Sequence, residues 1–163
     1  MVRAGGLFIL IMGLGVVLGG VFSSQRRLLL ALGAAAATLV MILTANTLTR
    51  PLGSPTLTQY WALAVSILLE VVLIRFVVAR YREAGERTLL LSILFVVGIH
   101  FLPMAIAFGP LCAILGASDM ANAGTGLWVK RDVSLNSLWI ADGMLKMVFG
   151  GLMYSMASNS GVT

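Results

Sequence analysis

Thr88 to Gly109 is an unbroken run without a single Asp, Glu, Lys or Arg. A hydrocarbon layer about 30 Å thick is crossed by roughly 20 residues of α-helix, so a run of this length and polarity is sized for lipid. Five comparable runs, at about 4–22, 28–48, 60–79, 111–129 and 134–157, take up most of the remaining chain. The expected fold is therefore an all-α polytopic membrane protein with six transmembrane helices in one domain over 1–163. No stretch is left for a water-soluble domain.

Composition points the same way, with 60% hydrophobic and 10% charged residues against about 45–50% and about 25% in soluble domains. The net charge of +5 does not imply a nucleic-acid partner, because the basic residues stand at the ends of apolar runs. In that position they set topology and meet anionic headgroups. Arg26, Arg27, Arg80, Arg82, Arg87, Lys130 and Arg131 fall in loops one, three and five, whereas the opposite side has only Arg3 and Arg50. The positive-inside rule then predicts both termini outside. The first run resembles a signal peptide in position, but it exceeds the usual apolar core of about 7–15 residues. Phe22-Ser23-Ser24-Gln25 also offers no small-x-small cleavage pattern, so a helix of the mature protein is expected.

The runs differ in character. The first carries glycines at 5, 6, 13, 15, 19 and 20, and small residues let neighbouring backbones approach closely in lipid. The fifth is the least apolar, with Ser118, Asp119, Asn122 and Thr125, and needs shielding by other helices or a hydrated cavity. An offset of 76 aligns Ala31, Gly33, Ala37, Ala45, Asn46 and Thr49 with Ala107, Gly109, Ala113, Ala121, Asn122 and Thr125. With three helices per half, such a repeat is of the inverted kind found in transporters.

Ionisable side chains at membrane depth are costly and usually mark a functional path. Glu70, His100, Asp119 and Lys146 all fall near the middle of their runs. Asp142 and Lys146 are four apart, hence on one helix face and within ion-pairing reach. Asp119 and Asn122, three apart, also share a face. Asn46 and Asn122 are supporting polar candidates. Pro103 removes one backbone hydrogen bond from the fourth helix and frees a carbonyl near Ile99 for a ligand or water. Histidine has an unperturbed pKa of about 6.5, so its surroundings readily switch its charge near neutrality. The expected function is a transporter or channel for a small solute or ion, coupled through protonation at His100, Glu70 and Asp119. Lys146 and Asp142 would be the compensating pair.

Plainer readings compete. Asp142 with Lys146 can be a neutralised pair that only locks the last helix, and His100 a hydrogen-bonded core residue. An accessory or scaffold subunit of a larger membrane complex is the alternative function, and a lipid-acting enzyme the next. No nucleophile set, G-x-S-x-G, P-loop or zinc pattern occurs. The single cysteine, Cys112, excludes an intrachain disulfide. The Asp142-x3-Lys146 spacing is similar to that of microbial rhodopsins, whose lysine carries retinal. Those proteins need seven helices and six are expected here, so no cofactor is predicted. The expected partners are the bilayer, a small solute or ion, and further copies of the chain or another membrane protein.

Gly98-Ile99-His100-Phe101-Leu102-Pro103-Met104-Ala105 resembles a G-x-H-F-x-P-x-A motif of small bacterial membrane proteins of unknown function. The resemblance covers one helix of six. It implies a bacterial inner-membrane protein and singles out His100 and Pro103.

Overall fold

The computed structural model describes residues 2–49 and 56–159, with side chains at 2–44 and 56–156. Residues 50–55, with Arg50, and residues 160–163 lie outside the described residues. So does the Asn46 side chain. The described residues form six α-helices and no strand: α1 (Val2–Val21), α2 (Arg26–Thr49), α3 (Leu57–Tyr81), α4 (Glu86–Phe108), α5 (Pro110–Gly124) and α6 (Leu135–Asn159). A short 3-10 turn, Ser23–Gln25, joins α1 to α2, and a π-helical turn, Thr125–Val129, extends α5.

Among the described residues, four segments are long and apolar enough to cross a membrane: Val2–Val21, Ser23–Thr44, Leu57–Tyr81 and Glu86–Phe108. The other two expected spans are not among them. α5 stops after 15 residues, where the backbone widens into the π turn. Lys130 N–H donates to the carbonyl of Thr125 at 2.8 Å, five residues back, while the Thr125 hydroxyl bonds Ala121 O at 2.7 Å. α6 has the length, 25 residues, but carries Asn136, Asp142, Lys146 and Ser155 along it.

Helix starts fall two or three residues earlier than the apolar runs for α2 and α3, because polar side chains can occupy a first turn. Arg26 opens α2 with its Nε donating to Gly19 O at 3.3 Å. Gln59, in the first turn of α3, sends Nε2 to Ala107 O at 3.4 Å. α4 and α5 are joined by one residue, Gly109, at φ 91°. Only glycine adopts that conformation without strain, and Pro110 then starts α5 with its φ already helical.

The helices group into two compact units, residues 1–57 with 139–163 and residues 58–138. Each unit is a hairpin of sequence neighbours joined by a third helix from the other half of the chain. In the first unit the hairpin is α1–α2 and the third helix is α6. In the second it is α4–α5, and the third is α3.

Glycine sets how closely the first unit packs. A Cβ on Gly6 would stand 2.7 Å from Gly150 O, and one on Gly13 would stand 2.7 Å from Gly143 O. Both pairs are seven residues apart along their helices and run antiparallel. A seven-residue repeat keeps one seam facing its partner in left-handed packing. On another side of α1, a Cβ on Gly15 would lie 3.0 Å from the Cα of Gly33 in α2. The second unit repeats the device, with a Cβ on Gly116 placed 2.6 Å from Gly98 O.

Around these seams lie apolar faces that no protein covers. Leu32, Leu39, Ile42 and Leu43 are exposed on α2, and Val65, Leu68, Val72 and Phe76 on α3. Faces of this kind suit hydrocarbon, which is as apolar as the side chains themselves.

Candidate functional site

Glu70 is carried inward by the periodicity of α3. The buried positions of that helix are Ala62, Ser66 and Val77. Glu70 stands four residues after Ser66 and seven before Val77, which keeps it on the same stripe. The stripe faces α4, whose buried residues include His100. There His100 Nε2 lies 3.9 Å from Glu70 Oε2. The histidine side chain is 9% exposed and the carboxylate 30%. The pair therefore joins two helices, with the Glu70 side chain only partly covered by protein. The imidazole also tilts over Phe101, ring centres 4.3 Å apart, which restricts its rotation.

Pro103 lies one turn beyond, inside a helix that runs unbroken to Phe108. It has no N–H to donate to Ile99, so the carbonyl beside His100 lacks its usual intrahelical bond. Asp119 is fully buried on α5, three residues after the Gly116 that packs on Gly98. Asn122 shares that helix and is committed to structure, its Nδ2 donating to Leu138 O at 2.8 Å. The second unit thus brings Glu70 to His100 and buries Asp119.

Asp142 and Lys146 belong to the first unit and form the expected i,i+4 pair. Lys146 Nζ donates to Asp142 Oδ2 at 2.6 Å, and the two side chains are 5% and 0% exposed. Both sit on the α6 face that carries Gly143. A Cβ on Gly13 would lie 2.9 Å from the Cβ of Lys146, so a bare glycine backbone on α1 makes room for the pair. Asp142 Oδ1 is buried without a hydrogen bond. Removing the Asp142 carboxylate would take from buried Lys146 the partner it holds at 2.6 Å, which is strongly unfavourable.

Among the described residues no group of three or more His, Cys, Asp or Glu is placed to hold a metal. What the titratable groups can do chemically is carry protons and balance charge. The Glu70–His100 pair is an ion-pair contact at 3.9 Å, longer than a hydrogen bond, and the Asp142–Lys146 pair is hydrogen-bonded at 2.6 Å.

Two basic residues do more than their loop positions foretold. Arg26 is buried, and its guanidinium lies 4.9 Å from the ring centre of Trp139. Arg87 reaches across from the first turn of α4. Its Nη1 donates to Val133 O at 2.6 Å, and its Nη2 to Gly126 O at 3.1 Å and Lys130 O at 3.5 Å. Nothing in a run of basic loop residues distinguishes either one.

A family model described as "Family of unknown function (DUF6609)" matches residues 1–163, the whole chain. The chain belongs to that family. No curated protein matches it, and neither does any solved structure. Membership of DUF6609 comes without an activity, so the chemistry of this member has to be read from its side chains.

Proposed function

We propose that this DUF6609 protein is a small multi-pass transporter or channel for a small solute or ion, coupled to protonation. The observation that carries the reading is the Glu70–His100 pair, 3.9 Å apart between two helices that are each apolar enough to span a membrane. A partly exposed carboxylate next to a buried imidazole gives a proton a way in and a place to rest. With His100 charged the pair attracts, drawing α3 toward α4; with His100 neutral the attraction is gone. That difference is the kind of local charge change that biases a two-state element. Asp119 and the Asp142–Lys146 pair are the further ionisable groups of the proposed path.

The finer topology is part of the same proposal: six crossings in the bacterial inner membrane, both termini outside, in a homo-oligomer. α5, of 15 residues, continues through the π turn to Val129, and α6 covers 25 residues. Both segments are long enough for a layer of about 30 Å at a rise of about 1.5 Å per residue. A three-plus-three repeat is supported by the hairpins, whose contacting glycines, Gly15 with Gly33 and Gly98 with Gly116, have the same eighteen-residue separation. These glycines align the halves at an offset of 83 rather than 76. α3 and α6, both 25 residues long, become the equivalent third helices.

The test is flux in proteoliposomes for a panel of small ions and solutes, at about pH 6 and about pH 8, either side of the ordinary histidine pKa. Flux of one solute should depend on pH in the wild type and lose that dependence in His100→Ala and Glu70→Gln. Flux that is absent for every solute, or unchanged in both variants, would sink the proposal. An accessory-subunit role is the second reading, favoured by α2. There Ala31, Ala35 and Thr38 lie exposed at helical spacing, small residues of the type that admit another membrane helix. On that reading Ala35→Leu breaks up an assembly seen intact by native mass spectrometry, and flux is never observed.

A further inference from the structure

Where α3 ends and α4 begins, the second unit encloses a cavity of about 360 Å3 whose walls include none of the residues of the proposed proton path. Tyr81 comes from the end of α3, Thr88 and Ser92 from the first turns of α4, and Trp128 from the π turn. Arg87 and Arg131 add two cations, and no carboxylate lines the space.

Several helical hydroxyls are spent on their own backbone, and those at this cavity are not. Thr44, Ser66, Ser118 and Thr125 all turn their hydroxyls back onto the carbonyl four residues earlier, at 2.6–2.9 Å. Thr88 and Ser92, four apart on one face of α4, make no hydrogen bond within the described residues and border the cavity instead. Two hydroxyls left open beside two guanidiniums are a donor set without an acceptor. Arg87 is already held by three carbonyls of the 126–133 segment, which fixes that wall in place. Arg131 is exposed and makes no hydrogen bond or ion pair among the described residues, so its charge is available. The rim is aromatic and apolar, with Trp128 64% exposed and braced edge-on by Phe95 at 5.3 Å.

We infer that this cavity binds a phosphate group carried on an amphiphile, with an anionic phospholipid headgroup as its natural source. Arg131 supplies the counter-charge, Thr88 and Ser92 donate hydrogen bonds, and Arg87 shapes the wall and adds field. Arginine suits phosphate because its planar fork presents several donors at once. Small-ligand pockets run from about 300 to 1,000 Å3, so this one has room for a headgroup and not for acyl chains. The chains would leave past Trp128, a residue type favoured at the membrane interface. The phosphate chemistry stands independently of the transport reading; only the lipid source rests on the chain lying in a bilayer.

The experiment uses the full chain in a neutral detergent, titrated calorimetrically with four probes. These are dihexanoyl phosphatidylglycerol, dihexanoyl phosphatidylcholine, glycerol phosphate and inorganic phosphate. Phosphatidylglycerol should bind, about tenfold more weakly in Arg131→Gln and a few-fold more weakly in Ser92→Ala, the losses expected for one charged and one neutral hydrogen bond. Arg82→Gln is the control. It lies in the connection between α3 and α4, exposed and 3.5 Å from Glu83, and does not line the cavity, so it should leave binding unchanged. Neither Arg131 nor Ser92 makes a hydrogen bond that the fold needs, and an unchanged thermal midpoint without ligand checks this. If glycerol phosphate or inorganic phosphate binds as tightly as the lipid and shows the same variant pattern, the phosphate site holds and its source is soluble. The inference is overturned if no probe binds, if phosphatidylcholine binds as well as phosphatidylglycerol, or if Arg82→Gln weakens binding as much as Arg131→Gln.

Discussion

Gly150 and Gly151 are neighbours on α6, yet alanine should have opposite consequences at the two. A Cβ on Gly150 would stand 2.6 Å from the backbone nitrogen of Leu10 and 2.7 Å from Gly6 O. Both obstacles are backbone of α1, so no rotamer change relieves them. Ordinary contact begins at 3.4 Å, and α1 and α6 would have to part by about 0.7 Å. They cannot part at one point alone, because Gly13 and Gly143 hold the same seam two turns away at equal closeness. Overpacking of this kind costs roughly 1–3 kcal/mol. A Cβ on Gly151 would meet only the Leu10 Cδ1, at 3.8 Å, an ordinary contact. Gly151→Ala should therefore be neutral or stabilise, by up to about 1 kcal/mol from helix propensity. Unfolding in mixed detergent and SDS micelles, followed by circular dichroism, compares the two directly. Equal midpoints, or a more stable Gly150→Ala, would refute the claim that bare glycine backbone sets the α1–α6 distance.

The Asp142–Lys146 pair should behave as a buried unit in the same assay. Asp142→Leu alone should lose about 3–5 kcal/mol by taking from buried Lys146 its 2.6 Å carboxylate partner, whereas Asp142→Leu with Lys146→Met should recover most of it. A double variant no better than the single would show that the charges are not compensating each other. Arg87→Ala should raise amide hydrogen exchange across 125–133 by roughly ten- to a hundredfold, since three carbonyls lose a shared donor. Exchange confined to its wild-type rate would mean that the π turn holds itself.

What was legible in the sequence is what depends on neighbours along the chain. Apolar length marked the helices, and a spacing of four marked Asp142 with Lys146. The first-helix glycines were recognisable as packing residues. Their partners were not, although the seven-residue spacing of Gly6 and Gly13 recurs in Gly143 and Gly150. The meeting of Glu70 with His100 depends on the register between α3 and α4, which no local pattern states. The π turn hid within its run, where Gly124 and Gly126 lie packed against Trp128, Leu91 and Leu138 and no local pattern marks the widening. Least legible was the grouping of helices. Sequence neighbours usually pack together, yet α3 groups with the hairpin that follows it and α6 with the distant α1–α2 hairpin.

The exchange of third helices fixes an order of events during synthesis. α3 is made just before α4 and α5, so the second unit has every helix it needs once residue 138 has left the ribosome. The first unit starts earlier and finishes last. Its α1–α2 hairpin waits with the Gly6 and Gly13 face open through the making of three further helices, until α6 arrives to close it. A chain cut short before α6 would complete one half of the molecule and leave the half begun first unfinished.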